Sequence, residues 1–160
     1  MNRDGWEGAG TAEARAAQLA DLAKQRWADV DGGEPALQPQ FPDTVPEGLD
    51  PITAEFFEYY VKSNDRGRHP RSIGAFTLTS FPAHINFGAL RNLEDIAPRP
   101  ALVVTGDRAH SKWMSDEVVA KTDGAAEEVV VPGARHIDLY DDTALIPFDR
   151  LEAFFTEHLR

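Results

Sequence analysis

Three observations predict an α/β fold for this 160-residue chain. Two short apolar runs, 101–106 and 128–133, are rich in β-branched residues and each closes on glycine. A helix-forming stretch, 113–121, lies between them. A further amphipathic helix follows Pro147, with Phe148, Leu151, Phe154, Phe155 and Leu159 on one face. Uniformly apolar strands joined through a helix are the mark of a parallel sheet buried on both faces. The expected order in the second half is β-α-β-α, the two strands forming one right-handed crossover unit.

The first half predicts helices on long connections. Thr11 is suited to cap a helix over 12–30, where Leu19, Ala23, Trp27 and Val30 form an apolar stripe and Gly32-Gly33 stops the helix. Pro35, Pro39, Pro42 and Pro46 bar regular structure over 34–49. Asp50-Pro51 restarts a helix, aspartate capping and proline leading, and Ile52, Phe56, Tyr59 and Tyr60 continue at helical spacing. The stretch 64–70 breaks the pattern, and 73–78 is a weak third strand. Helices on connections this long suit a lid or insertion, or a peripheral helical pair without a gating role. The chain therefore divides into a helical region, 1–90, and an α/β segment, 91–160.

Composition narrows the function classes. With no cysteine, disulfides, thiolate metal sites and cysteine nucleophiles are excluded. The formal charge of −11 argues against a nucleic-acid partner, which requires a basic face. No run of about 18 apolar residues exists to span a membrane, and the first residues have no apolar signal core. An acidic, soluble, cytoplasmic protein is the expectation. The charge is uneven: residues 1–63 carry net −7, 64–100 net +2 and 101–160 net −6. The middle stretch holds Arg66, Arg68 and Arg71 around His69, either a solvated loop or a clamp for a carboxylate or phosphate.

The chemistry-bearing residues follow the strands. After the first comes Gly106-Asp107-Arg108-Ala109-His110-Ser111, and after the second Pro132-Gly133-Ala134-Arg135-His136-Ile137-Asp138. In open α/β sheets, ligands collect outside the carboxyl ends of the strands. An acid and a histidine delivered by neighbouring strand tips can pair there. The carboxylate fixes the imidazole tautomer while the other ring nitrogen moves a proton. Asp107 with His136 is the expected pair. An Asp107 that merely bonds nearby backbone N–H groups is the plainer reading.

Residues 95–160, through Asp95-Ile96-Ala97-Pro98-Arg99-Pro100-Ala101-Leu102-Val103-Val104-Thr105-Gly106 and Val130-Val131-Pro132-Gly133-Ala134-Arg135-His136-Ile137-Asp138-Leu139-Tyr140-Asp141, resemble the C-terminal portion of the α/β-hydrolase superfamily. The branch is that of dienelactone hydrolases and small bacterial esterases. Residues 1–90, with Gly67-Arg68-His69-Pro70-Arg71-Ser72, resemble that branch's lid insertion. The resemblance implies a partial α/β-hydrolase fold and a serine hydrolase acting on ester or similar acyl bonds without a cofactor. His136 matches the catalytic histidine, a general base and then a general acid. The acid of the superfamily commonly lies three residues past the strand's glycine, where this chain has Ala109; Asp107 is the nearest carboxylate, with Asp116 and Asp138 behind it.

The nucleophile departs from the pattern. None of Ser63, Ser72, Ser80, Ser111 and Ser115 sits in Gly-x-Ser-x-Gly. Ser111 follows the first strand, yet Lys112 and Trp113 do not resemble a nucleophile elbow, and helix capping is its expected role. The resemblance thus implies the latter half of such an enzyme, with negligible esterase activity for this chain alone. Its partners would be an ester-like small molecule when complete, and a missing N-terminal half or a second copy covering apolar sheet surface of roughly 300–600 Å² or more. A non-catalytic binding or interaction module on the same fold remnant is the alternative. Metal-dependent hydrolysis through His110, His136 and nearby aspartates is a third reading, without HExxH spacing in its favour.

Overall fold

The structure is a computed structural model that describes residues 11–62, 66–69, 71 and 74–159. It is a mixed helix and strand fold whose sheet, among the described residues, has two parallel strands. The chain forms two compact units: residues 1–44 with 68–91, and residues 45–67 with 92–160. The segment 45–67 thus clusters with the α/β residues rather than with the rest of the helical region.

In the first unit, α1 (Ala12–Gly32) starts where Thr11 Oγ1 accepts from the Ala14 N–H at 3.1 Å. It stops at Gly33, whose φ of 89° is the left-handed ending glycine permits. Of the apolar stripe, Leu19 is half-buried, while Ala23, Trp27 and Val30 are exposed, Trp27 at 71% and Val30 at 69%. The half-buried face runs through Arg15, Gln18, Leu19, Leu22, Gln25 and Asp29. It is held by polar ties, Arg15 to Asn86 at 2.6 Å and Asp29 accepting from Gln25 and from the Ala36 N–H. The proposed third strand is a single antiparallel bridge, Leu37 to Thr77, flanked by Gln38 N–H to Phe76 O and Leu78 N–H to Ala36 O. It joins this unit and adds nothing to the parallel sheet; Ile73 lies outside the described residues. A 3-10 turn (Leu78–Ser80) and α2 (Phe81–Asn86) follow.

In the second unit, α3 (Pro51–Phe57) begins as expected, Asp50 Oδ1 accepting from the Ile52 and Thr53 N–H groups at 3.0 and 3.1 Å with proline at the helix start. It passes into a π-helical turn (Glu58–Lys62), a deformation that concentrates at functional sites. A 3-10 turn (Leu93–Ile96) then leads to β1 (Ala101–Gly106), α4 (Lys112–Lys121), β2 (Ala126–Val131), the short α5 (Asp138–Asp141) and α6 (Phe148–His158). The second strand starts two residues earlier than the apolar run suggests, because pairing with Ala101 recruits Ala126 and Glu127.

The strands are parallel and in register from Ala101 opposite Ala126 to Gly106 opposite Val131. Both therefore release their chains at the same end. They are not buried on both faces as their composition suggests. In β1 only Thr105 and Gly106 are buried, and in β2 only Ala126 and Val131. With two strands, each has an edge without a described strand neighbour, so Ala101 to Val104 stay half-covered. The amphipathic α6 is likewise open, with Phe148, Phe155 and Leu159 between 51% and 74% exposed. The best-covered described residues of this unit are Ile137, Ala134 and Thr122, at 0–1% exposure. Thr122 Oγ1 accepts from the Ala126 N–H at 3.2 Å and so ties the end of α4 to the start of β2.

The tight point is Gly106. A Cβ there would stand 2.0 Å from the carbonyl oxygen of Ala134. Gly106→Ala is expected to destabilise the second unit by about 3 kcal/mol or more, the upper range for overpacking against an unyielding backbone. Asp50→Ala, a cap loss, costs about 1 kcal/mol. Chemical denaturation of both variants checks the order; a Gly106→Ala protein as stable as wild type would contradict the close approach.

Candidate active site

Two loops at the carboxyl end of the strands build the site, and backbone bonds stitch them together. Asp107 N–H donates to Val131 O and Arg108 N–H to Ala134 O, each at 3.1 Å. Asp107 Oδ1 accepts from the Gly133 N–H at 2.8 Å, where Gly133 turns with φ of 76°. Asp107 thus serves the loops, as its plainer reading had it, and is not the partner of His136.

His136 finds two hydroxyls instead. Its Nδ1 lies 2.8 Å from Ser111 Oγ, and its Nε2 lies 2.9 Å from the Tyr140 hydroxyl. Ser111 occupies the N-cap position of α4 but makes no capping hydrogen bond, so its expected role is replaced by contact with the histidine. Tyr140 sits four residues past His136, on α5, and is hydrogen-bonded in turn to Tyr60. The fallback acids are also engaged. Asp138 holds Arg135 through the backbone N–H and the guanidinium at 2.7–3.2 Å, and that cation keeps its carboxyl below the usual range. Asp116 pairs with Lys112 on the same helix.

The surroundings of His136 are aromatic and partly dry. Phe56 lies 5.6 Å from its ring centroid, His110 4.9 Å and Tyr140 5.3 Å. Tyr59 meets Tyr140 edge-on at 5.3 Å. Burial pushes the His136 imidazole below the ordinary histidine range and His110 pushes it further, while Glu55 pulls the other way. Glu55 is 8% exposed, and its Oε1 accepts from the Ile137 N–H at 2.7 Å. Burial and Tyr60 raise the Tyr140 phenol.

Sequence reasoning placed His136 and Ser111 but missed Glu55, Phe56 and Tyr140 as neighbours of the imidazole. Glu55 and Phe56 reach it from α3, more than fifty residues earlier in the chain. Only the i, i+4 spacing of His136 and Tyr140 is a local signal. In the basic cluster, two of the arginines have acidic partners. Arg66 is held by Asp141 through two bonds of 2.8 and 2.5 Å and lies 5.0 Å over the Tyr59 ring, while Arg68 pairs with Asp43 at 3.3 Å. Among the described residues no three His, Asp or Glu side chains are placed to hold a metal ion, and no helix is long and apolar enough to cross a membrane.

The direction of the His136 shift sets a pH dependence. The unfolded chain takes up the proton first, at a pH of about 6.5. The stability linked to neutral His136 is therefore whole above that pH and is lost as the pH falls through the lower folded value. NMR titration is expected to find His136 below 6.5. His110→Gln should move it up and Glu55→Gln further down. A wild-type value at or above 6.5 would contradict the described environment.

No family model matches the chain. It is 38% identical over 158 residues to the uncharacterized protein PA2218 of Pseudomonas aeruginosa, covering 97% of this chain and 42% of that protein. It is 29% identical over 160 residues to the uncharacterized protein YcjY of Escherichia coli, covering 98% of this chain and 52% of that one. The crystal structure of the hypothetical protein PA2218 superposes with a TM-score of 0.85 at 37% identity, over 98% of this chain and 49% of the other. The chain thus spans about half the length of the relatives it matches, and shares its fold with about half of the crystallised one.

Proposed function

We propose that these residues are one part of an α/β-hydrolase-type serine hydrolase, of the dienelactone hydrolase and esterase kind, that cleaves ester or similar acyl bonds. His136 is its general base and then its general acid. The nucleophilic serine and the oxyanion donors come from polypeptide outside these 160 residues. The observation that carries this reading is the placement of His136. It stands in the loop that leaves the carboxyl end of a parallel strand, beside the loop from the neighbouring strand, with its pKa held down so that it is neutral at physiological pH.

The chain's own residues do the following in that reaction. His136 accepts the proton of the attacking hydroxyl at Nε2 and returns it to the departing alkoxide. For this, the Tyr140 hydroxyl, now 2.9 Å from Nε2, gives way to the nucleophile. Glu55, buried behind the loop, favours the imidazolium through space. Phe56 adds an apolar wall beside the imidazole, and Tyr59 backs the Tyr140 ring. Residues 1–90 are the lid insertion in this reading, and α3 is the piece of it beside His136.

Hydrolysis of p-nitrophenyl acetate tests the proposal in two arms. The 160-residue chain alone is expected to show no turnover above buffer; turnover that His136→Ala abolishes would place the nucleophile within the chain and overturn that part. Full-length PA2218 is expected to hydrolyse short acyl esters. Alanine at its position aligned with His136 should lower kcat by about 10²–10⁴-fold, the usual contribution of a general base. A full-length relative inert towards a panel of acyl esters would overturn the hydrolase reading.

A further inference from the structure

We propose that Ser111 is the positioning residue of His136: its hydroxyl oxygen accepts the Nδ1–H, which fixes the ring orientation and tautomer and leaves Nε2 as the basic nitrogen. The inference rests on the hydrolase reading for the use made of Nε2, but the hydrogen-bond assignment stands on its own geometry.

In an acid–histidine pair a carboxylate performs this task. Every carboxylate that the sequence offers for it is committed elsewhere. Asp107 accepts from the Gly133 N–H, Asp138 is wrapped around Arg135, and Asp116 pairs with Lys112. Glu55, buried and close enough to influence the imidazole, accepts from the Ile137 N–H. The Ser111 hydroxyl has no rival use, since it makes no cap bond to α4. It lies 2.8 Å from Nδ1, an ordinary hydrogen-bond length.

A serine in this place differs chemically from a carboxylate. It orients the ring but brings no charge, so it does not stabilise the imidazolium at close range. The other groups around the ring do not make good that loss at contact distance. His110 lies beside it at 4.9 Å, its ring tilted by 49°, with its Nδ1 buried and without a hydrogen-bond partner among the described residues, and a protonated His136 would face it unfavourably. Burial keeps the Tyr140 phenol neutral on the far side, and Glu55 supplies negative charge through space. The result is a histidine held in position yet weakly basic, in accord with its lowered proton affinity.

The opposite polarity is equally definite and makes the inference testable. If Ser111 O–H donated to Nδ1, the proton would sit on Nε2, and Ser111 itself would be the group activated by the ring. Long-range proton–nitrogen NMR of the full 160-residue chain at pH 8, with His136→Gln for assignment, reads the tautomer directly. The expected wild-type signature is a protonated-type Nδ1 and an unprotonated, far-downfield Nε2. Ser111→Ala should shift the population towards the Nε2–H form that a solvated histidine side chain prefers in water, and Ser111→Thr should restore the wild-type signature. A wild-type Nε2–H form, or a Ser111→Ala spectrum unchanged at both nitrogens, overturns the assignment. Should Ser111→Ala fail to fold, the wild-type tautomer and the threonine variant still decide. None of these readings involves ester turnover. An inert relative would remove the hydrolase reading and leave the tautomer result, whereas a reversed tautomer would remove the positioning role and leave hydrolysis untouched.

Discussion

The approach of the Ala134 carbonyl to the α-carbon of Gly106 is the constraint from which the candidate site derives. Parallel pairing in register brings Gly106 opposite Val131, so both chains leave the sheet together. Any side chain at 106 would push the second loop away, since its Cβ would meet the Ala134 oxygen at 2.0 Å. With glycine there, the Arg108 N–H can reach that oxygen and the Asp107 carboxylate can reach the Gly133 N–H. These bonds link residues 26 apart in sequence, and Ser111 and His136 meet as a consequence. Ala134 and Ile137, two of the most completely buried residues of this unit, bracket His136 in the chain. The imidazole is thus presented between well-packed neighbours, the support that a proton-transfer group would need on the proposed reading.

A histidine so presented can be tuned in two directions, and this protein uses both. Desolvation by Phe56 and the neighbouring ring of His110 favour the neutral form. The buried Glu55 opposes them, yet its carboxylate is already engaged with the Ile137 N–H and reaches the imidazole only through space. The balance falls on the neutral side. On the proposed reading, a neutral ring with one nitrogen turned to a serine and the other to a tyrosine is the resting arrangement of a general base. The π-helical turn after α3 belongs to the same design, because Tyr59 and Tyr60 leave it to meet Tyr140.

What the sequence made legible was local. Thr11 and Asp50 announce their helices by capping, and the β-branched run 101–106 announces a strand, because each signal acts within a few residues. His136 was legible from its place after a second such run. The partner of His136 was not. Asp107 looked right by position and charge, but a loop carboxylate goes to the nearest unpaired N–H, and the turn at Gly133 offered one. Glu55 and Phe56 arrive from a helix whose docking no local pattern encodes. The stripe on α1 was legible only in part for a similar reason: the half-buried face joins Leu19 and Leu22 to polar ties from Arg15 and Asp29 and leaves Trp27 outside.

The two strands also show why apolar composition overstates burial. Composition reports the environment a strand suits, and a pair of strands cannot provide it. Of the six residues in β1, the four at its start remain half-covered, although their side chains suit the interior of a wider sheet. The open stripe of Phe148, Phe155 and Leu159 on α6 is the helical counterpart. Such surface is costly in water at about 25 cal/mol per Å², and two parallel strands are marginal by themselves. On the proposed reading the same deficit has a chemical counterpart. The polypeptide that covers these strands also brings the serine, so completing the sheet and completing the active site are one event. Tyr140 then holds Nε2 of His136 until that event supplies the hydroxyl that displaces it.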